Sequence, residues 1–278
     1  MTADYHVHSD FSFDSRTPME VQVQRAIELG LDELCFTDHV DYGVKHDWDE
    51  PAIPRRDGGA PKTNVDYPRY FAKLDELARR YEGRVTLRRG LELGVQSHTI
   101  DRYNDLFERY GKELDFTLLS VHEIGDQELW LQKYQHGKTQ KEYNLGYYEE
   151  LLRVVERFEH YSVLAHMDLI VRYDENGVYP FENVRDVAAE ILRRVIRDGK
   201  GVELNSASWH YGLADTQPSR ALLRLYRDLG GTVLTLGSDA HTPRYLADHF
   251  DDARAILRSL GFEHFYTFEK MVPIRHAL

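Results

Sequence analysis

The chain has 278 residues, 42% of them hydrophobic, and a net charge of −12. That acidity argues against a nucleic-acid partner held by its phosphates, and beyond solubility it leaves carboxylates whose charge bound cations would offset. No apolar run reaches the length of a membrane span and the N-terminus lacks the basic and apolar regions of a signal peptide, so no membrane partner is expected; the one cysteine, Cys35, fits a reducing cytoplasm. Without repeats, low-complexity tracts or linkers, residues 1–278 read as one domain.

The first strand, about Ala3 to His8, carries Asp4-Tyr5-His6-Val7-His8, whose i, i+2 histidines share one face. Two converging imidazoles suit a divalent cation such as Zn, Mn or Fe, although H-x-H alone also describes surface pairs. Thr17-Pro18-Met19-Glu20 reads as a capping box opening a helix that stops at Gly30. Strand two, Leu34-Cys35-Phe36, ends in Thr37-Asp38-His39. A long loop from Asp41 to Asn64 follows, with Arg55, Arg56 and Gly58-Gly59, a length typical of a lid or of a disordered segment. A helix from Asp66 to about Tyr81 precedes strand Val85 to Gly90 and the turn Leu91-Glu92-Leu93-Gly94. After a helix over about 97–110 comes the strand Asp115 to His122, then an irregular segment to Lys138. Thr139 to Glu142 reads as a second capping box, for a helix ending near Phe158. Strand five is Ser162 to His166, followed by Asp168-Leu169-Ile170-Val171-Arg172-Tyr173. A helix to Asp198, strand Gly201 to Asn205, a helix opened by Pro218, strand Thr232 to Leu236 and a last helix, about Tyr245 to Leu260, complete the order.

Strands alternating with helices imply a parallel α/β architecture. Ligands of an open doubly wound sheet gather at one switch point, whereas here almost every strand ends in a chemically competent residue, as in a TIM-like barrel. Those residues are His6, His8, His39, Glu92, His122, His166, Asn205, Asp239 and His241, with Asp14 near the first strand. A hydrogen-bonded loop histidine accounts for any one of them, but hardly for six at the same end of successive strands. Six imidazoles with Asp14, Glu92 and Asp239 exceed one tetrahedral site and suit two or three metal ions sharing a carboxylate. The remaining histidines, His210 excepted, are read as solvated.

The H-x-H pair, Thr37-Asp38-His39, Glu92, Ser120-Val121-His122, His166 and Gly237-Ser238-Asp239-Ala240-His241 together resemble the polymerase-and-histidinol-phosphatase (PHP) family, in its order and over almost the whole chain. Gly137-Lys138-Thr139-Gln140, the segment Asp168 to Tyr173, and Glu203-Leu204-Asn205-Ser206 followed by Tyr211-Gly212-Leu213 resemble its histidinol-phosphatase branch. The resemblance implies the PHP fold, a distorted (β/α)7 barrel, with a trinuclear centre. It implies His6, His8, Glu92 and Asp239 on one metal, Glu92, His122 and His166 on a second, and Asp14, His39 and His241 on a third. Asp14 stands where some relatives carry histidine, and an oxygen ligand favours Mn or Fe over Zn there.

The activity implied is hydrolysis of a small phosphate ester, L-histidinol phosphate, to L-histidinol and phosphate in histidine biosynthesis. Two metals roughly 3.5–4 Å apart would share a hydroxide aimed at phosphorus, with Glu92 and Asp239 as catalytic ligands. Arg172 is the expected phosphate grip, since guanidinium matches two oxygens at once. Asn205 is a further candidate for substrate contact, and Arg244, Lys138, Arg55 and Arg56 are weaker candidates than Arg172 for the phosphate. His210, a further candidate for substrate contact, occupies a position where the family pattern commonly has arginine, and a histidine there can still donate to phosphate. An acidic group near the mouth would suit the substrate's ammonium, but many carboxylates qualify. The competing readings are another phosphoester, such as a nucleotide or cyclic phosphodiester, a non-catalytic metal-binding module, and an amidohydrolase-like barrel, which would want a bridging lysine. Asp38 and Asp239, beside cations, would be poor acids for the leaving group. Nothing in the sequence specifies an oligomeric state.

Overall fold

The computed structural model describes residues 1–50 and 63–278; Arg55, Arg56 and half of the expected lid lie outside them. Seven parallel strands are ordered along the chain: β1 (Ala3–Val7), β2 (Glu33–Phe36), β3 (Thr86–Gly94), β4 (Phe116–Ser120), β5 (Val163–Leu164), β6 (Gly201–Asn205) and β7 (Leu234–Gly237). The two-residue strand His39–Val40 pairs beside β3. Closure occurs at the carboxyl end, where the His8 amide donates to the Ala240 carbonyl at 3.0 Å and the Ala240 amide to the His6 carbonyl at 3.3 Å. The result is a nearly closed α/β barrel with helices outside.

Alternation decides what faces the barrel axis. In β3, Leu91 and Leu93 pack outward among the helices, which leaves Glu92 pointing inward. Glu92 therefore belongs to the strand rather than to a turn after it, because Leu91 to Gly94 continue the ladder against Thr117 to Ser120. In β6 the outward Val202 and Leu204 leave Glu203 inside. β1 departs from strict alternation. Tyr5 packs in the interior and Val7 with the outer core, and a register irregularity between Asp4 and Val7 turns His6 and His8 to the axis.

The expected capping box at Thr17 does not form. The helix Met19–Glu28 has no side-chain cap, and Thr17 Oγ1 donates instead to the His241 carbonyl at 2.8 Å. The box at Thr139 is present at the start of Gln140–Arg157. The irregular segment after His122 contains a small ribbon, Glu123–Ile124 with Gln127–Glu128. The last helix begins only at Phe250, after a 3₁₀ turn at Pro243–Tyr245. A C-terminal hairpin absent from the sequence reading, β8 (His264–Glu269) and β9 (Val272–Ala277), follows it. Its Phe265 and Phe268 join Tyr5, Phe116 and Leu118 to fill the amino end of the barrel, so the carboxyl end is free for polar chemistry.

Candidate active site

Glu92 lies at the centre of the carboxyl end. Its Oε1 is 3.1 Å from His122 Nε2 and 2.7 Å from His166 Nε2, and it accepts from Ser120 Oγ at 2.7 Å. Its Oε2 is 3.0 Å from His6 Nε2, 3.1 Å from His39 Nδ1 and 3.4 Å from His8 Nε2. Asp239 Oδ1 faces His8 Nε2 at 3.3 Å and His6 Nε2 at 3.6 Å. Asp14 Oδ2 lies 3.4 Å from His39 Nε2 and 3.3 Å from His241 Nε2, at the more exposed edge. All nine residues that the sequence marks as metal candidates thus converge.

The rings are aimed from behind. His6 Nδ1 meets Glu203 Oε1 at 2.6 Å and His122 Nδ1 meets Asp41 Oδ1 at 2.9 Å. His8 Nδ1 bonds Ser12 Oγ at 3.2 Å, and His241 Nδ1 bonds the Asp239 carbonyl at 3.0 Å. A donating Nδ1–H leaves Nε2 as the lone-pair nitrogen, the tautomer a metal requires. Two glycines make room for this. A Cβ on Gly237 would collide with Glu203 Oε1, and one on Gly94 with Asp41 Oδ1.

This donor set fits divalent ions. Nitrogen and carboxylate donors from His6, His8 and Glu92, and from Glu92, His122 and His166, stand within 4.8 Å of one another. Among the described residues, His8 Nε2 and His39 Nδ1 are buried without a hydrogen-bond partner. Such atoms are costly unless something ligates them. Burial, with His241 and His39 alongside, pushes the His8 ring down to about 3 and keeps it neutral. Burial opposes charge on Glu92, yet His6, His122 and His39 outweigh it and hold the carboxyl well below the usual range. Asp239 is likewise held down against burial, by His6, His8 and Arg172. Its backbone sits at φ +54°, a left-handed conformation that a non-glycine residue adopts at a cost.

The centre opens into a cavity of about 650 Å³ walled by Phe13, Trp130, Leu169, Tyr173 and Tyr211. Among the described lining residues, Arg172 is the one arginine or lysine. Gln217 Oε1 accepts from its Nε at 3.2 Å and Nη2 at 2.7 Å, Asp239 Oδ2 accepts from Nη1 at 3.2 Å, and the Tyr211 ring stacks 4.2 Å from Cζ.

The other substrate candidates lie elsewhere. Asn205 is buried behind the centre, donating to Glu203 at 3.2 Å and Asp239 at 3.4 Å. His210 stacks on Tyr245 at 4.2 Å, and its neighbour Tyr211 takes the place on the wall. Arg244 is exposed, 5.3 Å from the Tyr245 ring. Lys138 donates to the Tyr134 carbonyl over that residue's own ring. Asp38 is locked by Ser9 and Ser12, and burial pushes it up to about 6 despite those bonds. Asp41, Gln217 and Glu123 carry no site signal in the sequence, and Glu203 stands there only as part of the Glu203-Leu204-Asn205-Ser206 motif, without a role. The signal for Glu203 was present, a charged residue between Val202 and Leu204 in a buried run.

A PHP domain family model matches residues 4–207. Histidinol-phosphatase of Lactococcus lactis subsp. lactis is 31% identical over 281 residues, covering 96% of this chain and 94% of the relative. That of Saccharomyces cerevisiae is 23% identical, covering 85% and 82%. The crystal structure of the L. lactis histidinol phosphate phosphatase, complexed with zinc, L-histidinol and phosphate, superposes with a TM-score of 0.84 at 29% identity over 98% of both chains.

Proposed function

Because the chain belongs to the PHP domain family, we propose that it is a metal-dependent phosphomonoesterase hydrolysing L-histidinol phosphate to L-histidinol and phosphate. The observation that carries this reading is the placement of Glu92, one oxygen toward His122 and His166 and the other toward His6, His8 and His39. A carboxylate so placed could be shared between two divalent ions. We assign His6, His8, Glu92 and Asp239 to the first, Glu92, His122 and His166 to the second, and Asp14, His39 and His241 to a third.

Bound divalent ions supply Lewis-acid charge and make water a competent nucleophile at neutral pH. The chain's own residues do the rest. Asp239 holds Arg172 at the cavity edge, where its remaining N–H donors meet phosphoryl oxygens as charge builds on them. The aromatic wall excludes water around the leaving alcohol. The small-molecule cavity and the acidic chain fit a metabolite better than a nucleic acid. No helix among the described residues is long and apolar enough to cross a membrane, and the lone Cys35 is buried. We take the chain to act in the cytoplasm as one domain, since the barrel ladder runs from β1 to β7.

The test is phosphate release from L-histidinol phosphate by protein loaded with Zn, Mn or Fe, beside nucleotides and sugar phosphates. A strong preference for histidinol phosphate is expected. Faster turnover of another ester would overturn the substrate while leaving the metal chemistry standing.

A further inference from the structure

Histidinol phosphate is a two-ended ligand. Its phosphate is an anion and its other end carries protonatable nitrogens, so a specific site needs an acceptor set apart from the metal centre. Among the carboxylates lining the cavity, Asp14, Asp41, Glu92 and Asp239 each face a histidine of the centre within 3.4 Å. Glu123 is the exception. It lines the same cavity, its residue is 1% exposed, and its Oε2 is buried without a hydrogen-bond partner.

The nearby cations are committed to others. Lys45 Nζ lies 3.4 Å from Glu128 Oε1 and over the Phe13 ring at 4.2 Å. His122 is held between Asp41 at 2.9 Å and Glu92 at 3.1 Å. No ion pair to Glu123 forms among the described residues. A buried carboxyl oxygen left without a hydrogen-bond partner is costly, and a donor brought by a ligand would complete it. Its position is fixed by the Glu123–Ile124 ribbon, where Glu123 pairs with Glu128 across the strands. Tyr173, which lines the same cavity, offers a flat face for a planar ring.

We propose that Glu123 is the specificity residue that accepts the cationic nitrogen end of the substrate, opposite in role to Arg172. This rests on the phosphomonoesterase reading but not on histidinol phosphate being the natural ester. It assigns one chemical class to the subsite: a protonated amine or imidazole joined to a phosphate ester.

The experiment compares wild type with Glu123→Gln, both loaded with Mn and checked for equal metal content. Four probes are used: L-histidinol phosphate, phosphoethanolamine, phenyl phosphate, and L-histidinol as an inhibitor. The variant should lose about ten- to a hundred-fold in kcat/KM on the two nitrogen-bearing esters, chiefly through KM, with L-histidinol inhibition weakened in parallel. Turnover of phenyl phosphate should be unchanged. Equal losses on all esters, or a fall in metal content, would make Glu123 a support of the metal centre and overturn the proposal. Unchanged kinetics on every probe would overturn it as well. If wild type turned over phosphoethanolamine but not histidinol phosphate, the substrate assignment would fall. A selective loss in the variant would then still uphold the role of Glu123.

Discussion

Glu203 does not line the cavity, yet it decides which nitrogen His6 presents, because its 2.6 Å contact to Nδ1 leaves Nε2 facing Glu92 and Asp239. Its second oxygen accepts from the His166 amide at 3.1 Å and from Asn205, so one carboxylate fixes two histidines and their strand ends. Glu203→Gln keeps the shape and removes the charge that makes the ring a better donor. Metal affinity should fall about ten- to a hundred-fold, read by competition with a chromophoric chelator, with the circular dichroism spectrum unchanged. Affinity equal to wild type would make Glu203 a packing residue only. Gln217 has the matching role for Arg172. It takes Nε and Nη2 while Asp239 takes Nη1, which uses three of the five guanidinium donors and leaves two for phosphate. Gln217→Ala should therefore raise KM and weaken inhibition by inorganic phosphate with a smaller effect on kcat. A fall in kcat alone would show that Arg172 is held without it.

At the scale of elements, strand ends carry the site because small residues there let side chains from neighbouring strands reach inward. Gly237, ending β7, is the sharpest case. A Cβ would meet Glu203 Oε1 and lie 2.5 Å from His6 Cβ, and β6 cannot retreat without breaking the register of Gly237 with Asn205. Gly237→Ala should displace Glu203 and lower metal occupancy, measured by elemental analysis, while the chain stays folded; full occupancy would mean that β1 yields instead. Elements also show where local reading succeeds. The motifs at Thr17 and Thr139 look alike, but only Thr139 caps its helix, since Thr17 has a tertiary partner in the His241 carbonyl. Thr139→Ala should cost about 1 kcal/mol in chemical denaturation. Glu92 and the histidines were legible because they punctuate apolar strands. The C-terminal hairpin was not, because its two-residue turn, Lys270-Met271, takes positive φ at both positions without the Asn-Gly pair that normally signals it. Glu123 and Gln217 were equally hidden, since only the folded chain brings Glu123 to the cavity and Gln217 to Arg172.

For the whole molecule, the centre is also a fastener. Its donors come from β1, β3, the strand His39–Val40 and the segments after β4, β5 and β7, so a bound ion ties together strand ends far apart in sequence. The seam between β1 and β7 depends on it most, because the parallel bridge there is Val7 with Ala240, flanked directly by His6, His8, Asp239 and His241. Ions that bind this arrangement and not the unfolded chain stabilise it by mass action, about 2.7 kcal/mol for each ion at a hundred times its dissociation constant. In a chain of this size that corresponds to roughly 5 °C in melting temperature per ion. Chelation should therefore lower the melting temperature by at least that amount, and titrating Mn or Zn back should restore it in a concentration-dependent way. Glu92→Gln, which removes the charge that five histidines face, should melt near the chelated protein and respond little to added metal. A melting temperature indifferent to chelator would mean that the barrel closes on its packing alone, with the imidazoles held by Glu203, Asp41 and Ser12 whether or not an ion is present.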